Sequence, residues 1–481
     1  MRIDRWKPPF AIVSLGCVAV ACLVGSTLAQ SPTTVSFAIT HVSVIDGTGA
    51  PPKPDQTVVV VGDQIATIGA VAAVRIPRDA RTIDASGRFL IPGLWDAHIH
   101  TRYEGIDHLR LLIVNGITSA RNMSGPWEHL SQIHSWREQI QRGERVGPRL
   151  WTTGPLLDGP GTGRAVQVAV SNADEARAAV RRTKGEGADF VKVYNLLSRE
   201  SYFAIVAEAR EQGLPFVGHV PFSVNPEEAS AAGQLTLEHL DGILIASSTR
   251  EEQLRQQLAR FRPIPGQRTR SPLDGTALTD AFSAQKLSAL AERLRANETT
   301  VVPTLSVCRN RIDGAGAIAL DRLRYIPAAY IDALKQGVVI DTVEERRVRF
   351  EYCERVVRAL DAAGVTILAG TDGINAFQIT GFSLQDELAL LVKAGLSEMR
   401  ALQAATRNPA RVFHRTDQGT IETGKRADLV LLDANPLEHI ENTRKIRLVV
   451  AAGHVFDRSE LDAMLADIQK SAREWTGTPT R

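Results

Sequence analysis

The sequence predicts an α/β protein in which a (β/α)8 barrel is joined to a composite β-sandwich domain formed by the N- and C-terminal segments. Within residues 91–413, short β-branched runs alternate with helical stretches, as parallel strand–helix units require. Short alternating runs with Gly and Asp turns flank this segment, and they predict sandwich strands in residues 30–90 and 414–456. Residues 457–481 are predicted to form a terminal helix and tail.

The middle segment contains eight candidate strands. Eight such units close into a barrel, and the active site of this fold lies at the carboxyl ends of the strands. The polar residues at those ends are therefore the first candidates for function. The predicted strands end near His100, Asn122, Thr153, Tyr194, His219, His239, Leu305 and Asp372.

Residues 1–29 are predicted to be a secretory signal. Basic residues precede an apolar run over residues 10–24, and small residues follow it up to Ala29. The run is shorter than the roughly twenty apolar residues that span a bilayer, which disfavours a membrane anchor. We expect cleavage after Ala29 and a periplasmic or secreted protein. Lipoprotein processing at Cys17 or Cys22 is the less favoured alternative.

The charge balance argues against nucleic acid as a partner. Removing the signal takes away three basic residues and Asp4, so the formal net charge goes from +2 to zero. A neutral chain offers no electrostatic attraction to nucleic acid or to an acidic membrane, and we expect no stable membrane association after cleavage. Cys308 and Cys353 then remain; an oxidising compartment permits a disulfide between them, and the sequence leaves open both this bond and a homo-oligomer.

The sharpest local motif is Asp-Ala-His-Ile-His at residues 96–100. Strand periodicity places His98 and His100 on one face, where two imidazoles can bind one metal ion. The motif alone is weak evidence, because two histidines can equally be satisfied by hydrogen bonds in a core. Asp96 is expected to support a ligand and not to be one.

Lys192 lies in the apolar run Phe-Val-Lys-Val-Tyr, where an unpaired ammonium is costly to bury. Burial lowers the pKa of a lysine and frees a neutral amine that can react with carbon dioxide. The carbamate so formed is an anion able to bridge two cations. A lysine paired with a carboxylate is the alternative.

Further metal-ligand types stand at other predicted strand ends. His219 and His239 end the fifth and sixth strands, and Asp372 ends the eighth. Each alone is more often a core histidine or a helix-capping aspartate. Their coincidence at the ends of separate strands favours a shared site.

The order His-x-His, Lys, His, His, Asp resembles the amidohydrolase superfamily in its binuclear form. Three further stretches match it: residues 91–94 (Ile-Pro-Gly-Leu), residues 115–121, and residues 404–411 (Ala-Ala-Thr-Arg-Asn-Pro-Ala-Arg). Residues 419–430 complete the likeness, which resembles most closely the imidazolonepropionase-like and Xaa-Pro dipeptidase-like members. Asn122 departs from the pattern, since an aspartate is common there.

The resemblance implies two divalent cations, with zinc expected first and manganese, cobalt or iron compatible. It implies that Asp372 is both a ligand and the general base and acid. His98, His100 and Asp372 would hold one cation, His219 and His239 the other, and carbamylated Lys192 would span both. The predicted metal ligands are His98, His100, Lys192, His219, His239 and Asp372.

The implied reaction is hydrolysis of an amide or peptide bond in a small molecule, such as an Xaa-Pro dipeptide, another carboxylate-bearing dipeptide or an N-acyl amino acid. Tyr194, Arg309 and Arg311 are candidates for contacting the substrate. Ring opening or deamination of a cyclic amide is an alternative, against which Lys192 argues. Lactone or phosphotriester cleavage and a non-catalytic binding protein on the same fold are further alternatives.

Overall fold

The computed structural model describes residues 36–161, 165–262, 281–313, 321–335, 342–374 and 378–479, without the side chains of residues 311, 313 and 333–335. The predicted signal and the Arg311 side chain lie outside the described residues. Among the described residues, no helix combines the length and apolar character that a membrane span requires.

The strands are numbered in chain order, and helices separate most of those within residues 94–302. They are β1 (Ser36–Val44), β2 (Lys53–Val61), β3 (Gln64–Ala70), β4 (Arg81–Asp84), β5 (Phe89–Pro92), β6 (Leu94–Ile99), β7 (Ile117–Asn122), β8 (Arg149–Thr152), β9 (Leu156–Asp158), β10 (Gln167–Ala169), β11 (Val191–Val193), β12 (Phe216–Gly218), β13 (Thr236–Glu238), β14 (Thr300–Val302), β15 (Leu429–Leu432), β16 (Ile446–Ala451) and β17 (His454–Asp457).

The helices cover most of the chain between the barrel strands. They are α1 (His108–Val114), α2 (Trp127–Gln141), α3 (Ala173–Gly185), α4 (Arg199–Glu211), α5 (Pro226–Ala231), α6 (Asp241–Ala246), α7 (Glu251–Arg260), α8 (Ala284–Ala296), α9 (Leu305–Asp313), α10 (Ala328–Lys335), α11 (Val343–Ala362), α12 (Phe382–Ala394), α13 (Glu398–Ala404), α14 (Arg407–Val412) and α15 (Arg458–Glu474).

Parallel strands form a closed ring in the middle of the chain. One sheet has the order β6-β7-β8, and another has the order β10-β9-β11-β12-β13-β14. β9 follows β8 after a short interval and pairs in parallel with β11, so the two sheets continue into one another. The ring closes through residues 366–373, where Leu368 N donates to Val301 O and Ala97 N donates to Ala369 O. This parallel ring is the predicted barrel arrangement.

The N- and C-terminal segments together form one mixed sheet of eight strands. Its order is β17-β16-β15-β5-β1-β2-β3, and β4 pairs with β1. β15 runs antiparallel to β5 with Leu429 opposite Pro92, which brings the two ends of the chain together. The Leu-Val-Leu-Leu run of β15 is fully buried, as expected of a strand covered on both faces. Phe37, Ile39 and Leu431 share this sheet's own hydrophobic core.

The seventh barrel strand ends earlier than predicted. β14 ends at Val302, and Leu305 begins α9. The Glu387 carboxylate accepts hydrogen bonds from Leu305 N at 2.9 Å and Ser306 N at 2.7 Å. Those backbone donors have no partner within a helix, and a side chain distant in sequence stabilises the helix start by binding them.

The cysteine pair left open by the sequence is close in space. Cys308 Sγ and Cys353 Sγ lie 3.6 Å apart, on α9 and α11, and no disulfide joins them.

Candidate metal centre

Two neighbouring segments of the ring bring together three metal-ligand side chains. His98 and His100 come from the end of β6. Asp372 comes from residues 366–373, the segment that closes the ring next to β6. Their ligand atoms lie within 4.8 Å of one another, and all three residues are buried. Asp372 Oδ1 is 2.9 Å from His100 Nε2 and 3.5 Å from His98 Nε2. An imidazole pair with a carboxylate is a donor set that fits a divalent cation.

The other two predicted histidines continue this cluster across the barrel mouth. The ring centroids of His98 and His239 are 5.1 Å apart, and those of His239 and His219 are 4.8 Å apart. The Tyr194 ring packs against His219, with 4.0 Å between the two ring centroids. The ends of four barrel strands thus place four imidazoles and one phenol side by side.

Lys192 lies at the centre of β11 with only 2% of its surface exposed. Burial lowers its pKa to about 8, although the charges of Asp372 and Glu238 act in the opposite direction. Within the described residues, no ion pair of 4.0 Å or less joins Lys192 to a carboxylate. The alternative interpretation, a lysine neutralised by a salt bridge to a carboxylate, therefore does not describe Lys192. The lowered pKa is the property that carbamylation of its amine needs.

Hydrogen bonds from outside the cluster fix the orientation of every imidazole. Each ring is held through its Nδ1 atom, so its Nε2 atom is the one left to bind a metal ion. In metal sites such outer partners set the tautomer and the ring orientation. The partners are Glu238 Oε2 for His98 at 2.7 Å, Ser124 Oγ for His100 at 3.2 Å, Asn195 Oδ1 for His219 at 2.8 Å and Thr304 Oγ1 for His239 at 2.6 Å.

Two of these partners decide the tautomer. The Glu238 carboxylate and the Asn195 amide oxygen can only accept, so Nδ1–H of His98 and Nδ1–H of His219 donate. The lone pair of each ring is then on Nε2. His98 Nε2 is also a buried atom without a hydrogen-bond partner. An unsatisfied buried acceptor is costly, and a cation at this point would satisfy it.

Burial also favours the neutral form of three of these imidazoles. It lowers the pKa of His98 to about 4, and it holds the pKa values of His100 and His219 well below the usual range. Neutral imidazole is the form that binds metal ions, so this environment suits ligation near pH 7.

An Arg121–Glu238–His98 chain in the barrel interior supports the site and was not predicted from the sequence. Arg121 and Glu238 are both fully buried, and Arg121 Nη2 donates to Glu238 Oε1 at 2.7 Å. Burial disfavours the charge of Glu238, but Arg121 and His98 together lower its pKa to about 2. A permanently ionised carboxylate therefore accepts from His98 Nδ1–H. Thr236 Oγ1 also donates to Glu238 Oε1.

Backbone strain is concentrated at the same place. His239, Asp372 and Thr304 have φ values of 62°, 56° and 47°, in the left-handed region that side chains rarely adopt. Thr304, which holds His239, is β-branched, and for such a residue this conformation is a true outlier. Strained positions of this kind cluster at functional sites because the surrounding structure enforces them.

The structure brings the predicted ligand cluster and Tyr194 to one mouth of the barrel. Asp96 supports it as expected: its carboxylate accepts from Thr371 N at 3.1 Å and Thr371 Oγ1 at 2.7 Å, beside Asp372. Arg309 lies half-buried on α9, and its contact with substrate stays a prediction. The roles of the six ligands likewise stay predictions for the metal-loaded protein.

Comparison with known proteins agrees with this geometry. Residues 325–456 match the model of the amidohydrolase family. The imidazolonepropionase of Streptomyces avermitilis is 24% identical over 82% of this chain and 84% of its own length. That of Streptomyces griseus is 33% identical over 37% of this chain, and the match spans 45% of that relative.

Solved structures share the fold over most of the chain. Bottromycin amidohydrolase superposes with a TM-score of 0.68 at 26% identity, covering 92% of each chain. A putative prolidase from Bifidobacterium longum superposes with a TM-score of 0.65 at 24% identity, covering 91% of this chain and all of that one. A Xaa-Pro dipeptidase with methionine bound in its active site gives a TM-score of 0.64 at 19% identity, over 88% of this chain and 100% of that one.

The family match, these relatives and the clustered ligand side chains lead to one conclusion. The chain is a hydrolase that is similar in sequence and fold to the amidohydrolase superfamily, and imidazolonepropionases are among its sequence relatives.

Proposed function

We propose that this hydrolase is a binuclear, metal-dependent amidohydrolase that cleaves the C–N bond of an amide or peptide in a small, carboxylate-bearing substrate. The observation that carries the proposal is the cluster of four imidazoles held through Nδ1, with neighbouring rings in contact and Asp372 against two of them, together with the buried Lys192 on β11. It combines donors enough for two cations with a buried amine suited to carbamylation.

The proposed division of ligands is the one that the resemblance implies, and the close approach of His98, His100 and Asp372 agrees with it. His98, His100 and Asp372 would hold one cation, His219 and His239 the other, and the carbamate of Lys192 would span both. Bound there, divalent cations supply Lewis acidity that lowers the pKa of water and polarises a carbonyl. Zinc fits neutral imidazole and carboxylate donors, and manganese, cobalt and iron are compatible with them.

Asp372 is the residue that we propose moves the proton. One of its oxygens already lies at hydrogen-bond distance from His100 Nε2, so the carboxylate is directed into the cluster. Burial opposes its ionisation, yet the hydrogen bond from His100 and the neighbouring imidazoles hold the pKa of Asp372 well below its usual range. In the proposed reaction Asp372 takes the proton of the attacking water. It returns that proton to the leaving nitrogen as the C–N bond breaks.

Dipeptides are the first substrate class to test. Structural relatives are named as a putative prolidase and a Xaa-Pro dipeptidase, although they share only 19–24% identity with this chain. We propose that Tyr194, whose ring packs against His219, donates its hydroxyl to a substrate carboxylate or to the developing oxyanion.

A second candidate is ring opening of a cyclic amide. The sequence relatives are named as imidazolonepropionases, and this observation favours it. Lys192 argues for the binuclear peptide hydrolase, because an imidazole cluster with a single cation has no use for a bridging lysine.

Elemental analysis of the purified mature protein, followed by a substrate panel, tests the proposal. We expect about two divalent cations per chain and turnover of at least one dipeptide or N-acyl amino acid that stops with a chelator and returns with metal. Hydantoins and lactones are included in the panel because they report the alternative reactions, cyclic-amide opening and lactone cleavage. One cation per chain together with turnover of cyclic amides alone would favour the second candidate.

Metal uptake by the metal-free protein should depend on bicarbonate and on pH. Because the pKa of Lys192 is lowered to about 8, its neutral fraction rises from roughly one tenth at pH 7 to roughly three quarters at pH 8.5. Only the neutral amine adds to the carbon of carbon dioxide, losing a proton as the N–C bond forms. We therefore expect faster zinc uptake at pH 8.5 with bicarbonate, measured as the rate of activity recovery. If the rate of zinc uptake is the same with and without bicarbonate at both pH values, Lys192 does not act as a carbamate.

A further inference from the structure

Arg102 is a charged side chain at the metal centre to which the mechanism above assigns no task. It follows His100 by two residues, at the barrel mouth beyond β6. Burial is the main cause of the low pKa values of His100 and Lys192, and the positive charge of Arg102 adds to it in both cases. The charge of Arg102 therefore acts on the predicted ligands His100 and Lys192.

The guanidinium is only partly satisfied. Nη2 donates to the hydroxyl of Tyr103 at 2.7 Å, and the guanidinium carbon lies 4.4 Å from the centre of the Tyr103 ring. Nε and Nη1, which carry most of its N–H donors, are inaccessible to solvent and have no hydrogen-bond partner. Among the described residues, no ion pair includes Arg102. Arg102 as a whole is half-buried, but these two nitrogens are withdrawn from water without an acceptor, and unsatisfied buried donors are costly, so an acceptor is missing from this place.

The carboxylates of the described site have other partners. Glu238 accepts from Arg121 and His98, and Asp96 accepts from Thr371. Asp372 lies against His98 and His100. The missing acceptor therefore comes from outside this set. A planar guanidinium binds a carboxylate better than it binds any neutral group.

The aromatic neighbours hold Arg102 in position. The Tyr103 ring packs edge-on against Tyr330 with centroids 5.8 Å apart, and Tyr330 stacks on Trp475 at 5.4 Å. Gly105 lets the loop pass this indole, because a Cβ there would lie 2.5 Å from the Trp475 ring. A pre-positioned cation loses little freedom when a ligand binds.

We propose that Arg102 binds the free carboxylate of the substrate and so makes this enzyme selective for amides that carry one, such as dipeptides and N-acyl amino acids. The inference rests on the proposed function and deepens it. It replaces Arg309 and Arg311 as the first candidate for this contact. Arg102 contributes selectivity, while Asp372 and the metal ligands carry the reaction.

The test compares matched substrates in the metal-loaded enzyme. We expect Arg102→Met to lower kcat/KM for methionyl-proline on the order of 100-fold, and to change kcat/KM for methionyl-prolinamide, which lacks the carboxylate, by less than about threefold. Arg102→Lys, which keeps the charge, should recover part of the loss. Arg110→Met is the control, because Arg110 on α1 already pairs with Asp107 at the start of that helix and with Asp467 on α15. Equal losses on both substrates would overturn the proposal.

Two further measurements separate the possible failures. A structural arginine would leave partners unpaired when removed, so a lower melting temperature for Arg102→Met would also count against the proposal; we expect a value equal to or above that of the wild type. If the wild type cleaves neither peptide, the proposed function is wrong for this substrate. Calorimetric titration with L-proline and L-prolinamide then tests carboxylate binding by Arg102 independently of turnover. We expect the wild type to prefer L-proline about tenfold and the variant to show no preference. The same preference in both proteins, or none in the wild type, contradicts the inference.

Discussion

Replacing Lys192 with alanine should abolish most of the activity and remove bound metal at the same time. The side chain is buried on β11, beside the strand β12 that leads into His219, and its carbamate is the proposed ligand common to both cations. Without it, we expect kcat/KM to fall by on the order of 1000-fold and metal content to fall by at least about half. Both are measured on the same purified sample, by kinetics and by elemental analysis.

Chemical rescue gives this prediction its control. Alanine leaves room for a small carboxylate, so formate, acetate or propionate should restore part of the metal binding and turnover of the Lys192→Ala variant. Lys184→Ala is the matched lysine variant, because Lys184 is exposed on α3. It should behave like the wild type. Activity of Lys192→Ala at the wild-type level without added carboxylate would exclude the bridging role.

Replacing Glu238 with glutamine should cost both stability and metal affinity. The variant leaves the fully buried Arg121 guanidinium without its counter-ion, and breaking a buried ion pair in this way costs roughly 3–5 kcal/mol of unfolding free energy. It also weakens the acceptor that orients His98, for which we expect a loss of metal affinity of about 10- to 100-fold. Urea titration of the metal-free protein and zinc competition measure the two effects separately.

The pH dependence of this loss follows from the lowered pKa. The pKa of Glu238 falls from 4.5 to about 2 on folding, so the ionised carboxylate stabilises the fold fully above about pH 4.5 and progressively less as the pH falls towards 2. The stability gap between wild type and Glu238→Gln should therefore narrow over that range. The double variant with Arg121→Met should lose less than the two single variants together, because it leaves no unpaired charge. A constant gap, or strict additivity, would mean that the pair is not coupled as described.

Part of the unpredicted network was within reach of sequence analysis. Lys192 attracted attention as a charged residue in an apolar predicted strand, and the same reasoning applies to Arg121 in β7 and Glu238 in β13. Arg121 directly follows Ala120 and Glu238 directly follows Leu237, and strand periodicity puts each charged residue on the face opposite that apolar neighbour. Asn195 and Thr304 could not have been found in this way, since polar residues just after a strand are common in any loop.

The sequence alone also could not identify which arginine is the first candidate for contacting the substrate carboxylate. Arg309 and Arg311 were predicted as substrate contacts from their position after the seventh strand, whereas the partly unsatisfied guanidinium is that of Arg102 after the first. Whether a cation has found its counter-ion depends on groups that are distant in sequence. No local pattern carries that information.

The sequence by itself determined the α/β class, the alternating barrel units and the residues that stand at the strand ends. These features follow from strand periodicity and from parallel pairing, which are properties of short segments. Only the tertiary structure decided which nitrogen of each imidazole faces the centre, that Glu238 is permanently ionised and that Arg102 lacks an anion. Those properties depend on burial and on contacts of about 3 Å between separate strands, and such contacts exist only once the barrel has closed.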